Sequence, residues 1–314
     1  MINFKKPKFW DSKKLNFLSF FLLPFAFLIL ITIFFKKIFS FKKKFKIPII
    51  CIGNIYLGGT GKTPASITLG HELAKLGLKP VILRKYYKSQ IDEYKLIQNY
   101  FANIIIKRDR IAGLYEAEKS GFDIVVLDDG FQDYRIINNL SIVCFNQKQL
   151  IGNGFVIPAG PLRETLTSLK RANVILINGN KNTSFEQKIL KINKNLEIFY
   201  SYYKPLNINE FKNKELLALA GIGNPENFFQ LLEKNNLNIQ EKLIFPDHYR
   251  FTKNEIENIV NKAKKKKLEI IMTEKDFFKI KDFNLKNINY LKISLEINNK
   301  EKLIQIIKEK CLKL

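Results

Sequence analysis

Residues able to hold and move a phosphoryl group recur in this chain at informative spacings. Gly58-Gly59-Thr60-Gly61-Lys62-Thr63 is a glycine-rich run that ends in a lysine and a hydroxyl. Glycines let backbone N–H groups close around phosphate oxygens, and a following helix adds the positive end of its dipole. A lysine at this point reaches the β- and γ-phosphates of a nucleoside triphosphate, and the Thr hydroxyl can ligate Mg²⁺. Further on, Ile124-Val125-Val126-Leu127 runs into Asp128-Asp129. Acids at the tip of a strand beside a phosphate loop are the expected support for that metal. A Gly- and Pro-rich loop, Gly152 to Leu162, ends in Arg163-Glu164 and reads as an active-site segment. Arg84, closing a strand, and Arg108 and Arg110, at a helix start, are further candidates for phosphate or substrate contacts.

These residues need elements to place them. Ile47 to Gly53 is apolar and β-branched, a buried strand, and Ile67, Leu69, Leu73, Ala74 and Leu76 give helical periodicity after the loop. Strand, glycine loop, Lys-Thr and helix is the layout of a triphosphate cradle. The strict pattern wants glycine at position 56, where this chain has Tyr56, so Gly58, Gly59 and Gly61 must supply the flexibility. Strands are expected at 80–83, 104–106, 122–128, 141–145 and 174–177. Residues 180–213 read as a surface helix and a connection. A second βα series follows, with strands at 216–220 and 270–273 and a last helix near 302–312. The expected fold is α/β: a P-loop NTPase-like parallel-sheet domain at 46–205, preceded by a membrane helix and basic flank at 1–45, and followed by a smaller α/β domain at 206–314.

Leu15 through Phe35 is apolar except for Asn16, Ser19 and Thr32, with lysines on both sides. As one helix it would measure about 31 Å, enough to cross a bilayer. A membrane anchor is the expectation, either spanning or lying in the interface. The phosphate loop follows the anchor, which places the catalytic domain on the cytoplasmic face, with Lys42 to Lys46 against anionic head groups.

The chain has 314 residues, 46% of them hydrophobic, and a formal charge of +24. That composition excludes general disorder. The charge suits anionic partners. No nucleic-acid motif is present, so nucleic acid is not expected as a partner, and no feature calls for an obligate protein partner. Cys51, Cys144 and Cys311 form no metal or disulfide spacing, and Cys51 and Cys144, inside apolar strand-like runs, read as core residues. His71 falls mid-helix and reads as a surface or packing residue.

The ordered set Gly53-Asn54…Gly58-Gly59-Thr60-Gly61-Lys62-Thr63-Pro64, Asp128-Asp129-Gly130-Phe131-Gln132, Pro158-Ala159-Gly160-Pro161-Leu162-Arg163-Glu164, Gly221-Ile222-Gly223-Asn224-Pro225 and Asp247-His248 resembles the tetraacyldisaccharide 4′-kinases. The resemblance implies transfer of the ATP γ-phosphate, with Mg²⁺, to the 4′-hydroxyl of a tetraacylated glucosamine disaccharide 1-phosphate at the inner membrane. It implies nucleotide binding by Gly58 to Thr63, Mg²⁺ at Thr63, Asp128, Asp129 and Glu164, and contacts from Gln132 and Arg163. It places Asp92 where the family has a catalytic acid and His248 where it has that acid's histidine partner. A sugar hydroxyl is a poor nucleophile, and a carboxylate that takes its proton fits such a transfer. Two departures stand out. The family's Ser-Arg-Gly-Tyr-Gly is Leu83-Arg84-Lys85-Tyr86-Tyr87 here, and the His after its Asp-Asp-Gly-Phe-Gln is Asp133.

Two other readings compete. A membrane-tethered P-loop ATPase or GTPase lacks the guanine motif, since Thr273-Glu274-Lys275-Asp276 has those letters in the wrong order. A non-catalytic basic adaptor leaves Asp128-Asp129 unexplained.

Overall fold

The structure is a computed structural model that describes residues 7–12, 16–88, 90–247 and 249–312. His248 lies outside the described residues, and so does the side chain of Asp92. The chain forms two compact units. Both are discontinuous, whereas the sequence reading cut the chain into contiguous segments. The larger unit takes residues 6–86, 101–202 and 295 onward; the smaller takes 87–100 and 203–294.

The larger unit begins with helices α1 (Phe17–Phe21) and α2 (Leu23–Ile38). The strands that follow are β1 (Ile49–Gly53), β2 (Pro80–Lys85), β3 (Ile104–Lys107), β4 (Ile124–Asp128), β5 (Leu140–Asn146), β6 (Val174–Asn178) and β7 (Glu197–Pro205). Between them run α3 (Lys62–Lys75), α5 (Arg110–Lys119) and α6 (Thr183–Leu190), with α4 (Ile91–Tyr100) assigned to the smaller unit. That smaller unit adds β8 (Glu215–Ala220), α7 (Pro225–Lys234), β9 (Asn238–Ile244), α8 (Lys253–Lys265), β10 (Glu269–Thr273), α9 (Glu274–Ile280) and β11 (Ile288–Leu291). The chain returns through β12 (Ile293–Ile297) and α10 (Lys300–Ile307).

The large sheet has the order β12-β7-β6-β5-β1-β4-β2-β3. From β3 to β7 every neighbouring pair is parallel. Parallel strands covered on both faces read as continuous apolar runs, and β1, β4 and β5 are buried along their whole length. Helix α3 buries Ala65, Ser66, Leu69, Gly70 and Leu73, one face of a helix. All three cysteines are buried thiols. His71 packs edge-on against Phe101, a packing role. The smaller sheet, β11-β10-β8-β9, is parallel throughout. Two apolar clusters cover it, one around Phe211, Phe229 and Leu232, the other around Ile256, Met272 and Ile280.

Three sequence expectations change. No helix among the described residues is long and apolar enough to cross a membrane. The apolar stretch breaks at Leu22, and Pro24 sits in the first turn of α2, where its missing N–H leaves no hydrogen bond unmade. The 16 residues of α2 span only about 24 Å. Secondly, the connection expected within 180–213 contains the nine-residue strand β7, which extends the parallel sheet past β6. Thirdly, the span between the strands expected at 80–83 and 104–106, for which no element is expected, forms the helix α4, with Asp92 in its first turn.

Candidate active site

The phosphate loop leaves β1 and turns into α3 through positions that only glycine adopts easily: Gly58, Gly59 and Gly61 have φ of 85°, 53° and 86°. Asn54 braces the loop from inside, its Nδ2 donating to Thr60 Oγ1 at 2.9 Å and to the Tyr56 carbonyl. Tyr56 is not part of the cradle. Its ring is fully buried and its hydroxyl donates to Asp11 at 2.6 Å. The backbone around it pairs with the Gly/Pro loop, Leu57 N–H to the Pro161 carbonyl at 2.9 Å and Arg163 N–H to Ile55 at 2.6 Å. This pairing delivers Arg163 and Glu164 to the edge of the phosphate loop.

Strand β4 lies between β1 and β2, with Asp128 in register with Ile52 on one side and Arg84 on the other. In-register residues of neighbouring strands project to the same face. Arg84 and Asp128 are therefore side by side, both buried, and form an ion pair. Arg84 Nη1 also donates to Thr63 Oγ1 at 3.1 Å, and Thr63 Oγ1 stands 3.4 Å from Asp128 Oδ2. Ser66, one turn on, donates to Asp128 Oδ1 at 3.0 Å. Asp129 has φ of 55° and turns away toward Lys62 Nζ (3.5 Å) and Arg163 Nη1 (2.8 Å). Burial alone would raise its carboxyl. Lys62, Arg163, Arg84 and Arg110 outweigh that and hold it far below the usual carboxylate range. Burial in turn lowers Lys62 from the ordinary lysine value, with Asp129 opposing.

Glu164 is buried and held by Arg171, whose Nη2 lies 3.1 and 3.0 Å from its two oxygens. Gln132 links the group, its Nε2 donating to Glu164 (3.1 Å) and to the Asn54 carbonyl (2.8 Å), while its Oε1 accepts from Arg163 (3.3 Å). Arg110 is buried and donates to the Asp129 carbonyl at 2.6 Å. Asp133, where the family has His, accepts two bonds of 2.9 Å from Arg135 and lies 3.5 Å from Arg110. Arg108 is exposed on the turn after β3. Asp92 belongs to the smaller unit, as does the segment that contains position 248.

Among the described residues no group of three His, Cys, Asp or Glu side chains is placed to hold a metal, and the expected ligands Asp128, Asp129 and Glu164 each pair with a cation, Arg84, Arg163 and Arg171 respectively. The Thr63 hydroxyl beside the Asp128 carboxylate is the pair that P-loop proteins use, with phosphate and water supplying the other ligands. Sequence reasoning missed Asn54, Ser66 and Arg171. Asn54 could have been flagged as a buried polar residue directly after an apolar strand; Arg171 carries no local signal.

Fold and site together define a P-loop NTPase-like protein: a glycine cradle, its lysine, and an acid on the adjoining parallel strand. The chain belongs to the tetraacyldisaccharide-1-P 4′-kinase family, whose model matches residues 18–100 and 89–312. It is 42% identical over 309 residues to the tetraacyldisaccharide 4′-kinase of Pelagibacter ubique, covering 95% of this chain and 96% of that one. To the enzyme of the same name from Francisella tularensis subsp. novicida it is 32% identical, covering 93% and 99%. The crystal structure of an "apo" form LpxK from Aquifex aeolicus in complex with ATP matches with a TM-score of 0.72 at 25% identity, covering 94% of this chain and 99% of that one.

Proposed function

We propose that this chain is an ATP-dependent kinase that phosphorylates the 4′-hydroxyl of a tetraacyl glucosamine disaccharide 1-phosphate. Its family membership supports the reading. The observation that carries it is the Gly61-Lys62-Thr63 turn set against Asp128 by strand register. Loop N–H groups and Lys62 would hold the triphosphate, with Lys62 freed from Asp129 by the stronger pull of the phosphates. Thr63 and Asp128 would hold Mg²⁺, which neutralises charge on the β- and γ-phosphates when bound. Arg163, tethered by Gln132, is placed to face anionic oxygens.

In the transfer, the 4′-oxygen forms a bond to the γ-phosphorus as the bond to the β-bridging oxygen breaks and ADP leaves. Asp92 takes the hydroxyl proton, and His248 orients Asp92. Both assignments rest on the resemblance and on the shared unit of the two segments.

The membrane role follows from exposure. Phe17, Phe20, Phe21, Phe27, Phe34 and Phe35 are all more than half exposed on α1 and α2. Such an apolar surface with lysines at its end suits a helix pair lying in the interface of an anionic membrane, at the cytoplasmic face of the inner membrane. A filter assay of labelled-phosphate transfer into lipid tests the reading. Hydrolysis of ATP without a phosphorylated acceptor would favour a plain ATPase instead.

A further inference from the structure

At the turn from β10 into α9, the run Thr273-Glu274-Lys275-Asp276 gives every side chain a separate task. Thr273 caps α9 by accepting the Asp276 N–H at 3.2 Å, and its hydroxyl donates back to the Asp276 carboxylate at 2.6 Å. Asp276, fully buried, also takes the Gly221 N–H at 2.7 Å and Lys279 Nζ at 2.6 Å, which ties the end of β8 to α9. Glu274 accepts the Tyr100 hydroxyl at 2.7 Å, reaching the far end of α4. Lys275 Nζ reaches two carboxylates, Glu93 at 3.0 Å and Asp247 at 3.3 Å.

Those two carboxylates are informative by position. Glu93 follows Asp92 in the first turn of α4, and Asp247 immediately precedes position 248. One ammonium therefore bridges the chain neighbours of the two residues assigned to proton transfer. Lys275 and Glu93 are 17% and 15% exposed, so solvent screens this contact less than a surface ion pair. A second link, Lys95 to Asp282 at 2.7 Å, holds α4 from a different side. With Tyr100 and Lys95 anchoring α4 independently, Lys275 is not needed to keep the helix attached. What it adds is the relation between α4 and the 245–250 loop.

We propose that Lys275 is a positioning residue for phosphoryl transfer, fixing the α4 turn that carries Asp92 relative to the loop that carries position 248. The inference rests on the kinase reading above and on its assignment of Asp92 and His248. Misplacing a reacting group by about 1 Å costs on the order of 10²-fold in rate. Nucleotide binding, assigned to the phosphate loop of the other unit, does not depend on Lys275.

The test is steady-state kinetics of the full chain with ATP and the tetraacyl disaccharide 1-phosphate in mixed micelles. Lys275→Met should lower kcat about 10²-fold with KM for ATP unchanged, and Lys275→Arg, which can still span both carboxylates, should recover much of it. Asp247→Asn should also lower kcat, and should add little to Lys275→Met, because both break one bridge. Wild-type kcat in Lys275→Met overturns the proposal. So does a loss of kcat that Lys275→Arg fails to recover, or one additive with Asp247→Asn. Wild-type protein that makes no phosphorylated lipid overturns the kinase reading itself, and this inference with it; that arm is read before any variant.

Discussion

Arg84 and Asp128 sit opposite each other on neighbouring parallel strands, both buried, and the arginine also bonds the Thr63 hydroxyl. The pair fixes Asp128, the acid proposed to hold Mg²⁺, beside the phosphate loop. Removing one partner of a buried ion pair leaves the other charge uncompensated, at a cost of about 3–5 kcal/mol. Arg84→Met should therefore destabilise the protein by that order in urea unfolding. Arg84→Met with Asp128→Asn should regain part of the loss, although neither variant should turn over. Equal stability of Arg84→Met and wild type would mean that Asp128 is not charged against Arg84.

Glu274 makes a pH prediction. Burial pushes its carboxyl from 4.5 up to about 7, against the Tyr100 hydrogen bond and Lys292. Between those values the folded protein keeps a proton that the unfolded chain has lost. Stability therefore falls as pH rises through this window. Glu274→Gln keeps an acceptor for Tyr100 and has no charge to bury. Its melting temperature should be flatter across the same window and higher than wild type at the alkaline end. A slope identical to wild type would show that Glu274 is not the group responsible.

The exposed phenylalanines predict membrane binding without spanning. Wild type should sediment with vesicles containing anionic lipid and be released by high salt only in part, since apolar contact persists when charge is screened. Phe17→Ser, Phe20→Ser and Phe21→Ser together should leave most protein in the supernatant with the melting temperature unchanged, because these side chains are already exposed. Full sedimentation of the triple variant would place the contact elsewhere.

How much of this was legible in the sequence depends on distance along the chain. The phosphate loop and the Asp128-Asp129 strand end are contiguous signals, and the structure places them together because β4 pairs with β1. Tyr56, a mismatch to the strict loop pattern, is a buried side chain outside the cradle. By contrast, the partners of Glu164 and Asp128 were not legible. Arg171 and Arg84 reach them only through the fold. The apolar N-terminal stretch gave composition but not the break at Leu22, which depends on Pro24 starting a new helix. Strand β7 has a strand-like composition, with Ile198, Phe199, Tyr200, Tyr202 and Tyr203, but it is set inside an Asn- and Lys-rich stretch whose overall polarity masks it. Helix α4 lies in sequence between two strands of the large sheet yet belongs to the other unit, and no local pattern marks that change.

The central claim is phosphoryl transfer from a P-loop to a lipid sugar. Its most direct test is incubation of the purified chain with Mg²⁺, ATP labelled at the γ-phosphate and tetraacyl disaccharide 1-phosphate in detergent–lipid micelles, followed by separation of the lipids. The account predicts a labelled bisphosphorylated lipid, reduced about 10²- to 10³-fold by Lys62→Ala in protein that still folds. Folded wild-type protein that binds ATP and labels no lipid would contradict it.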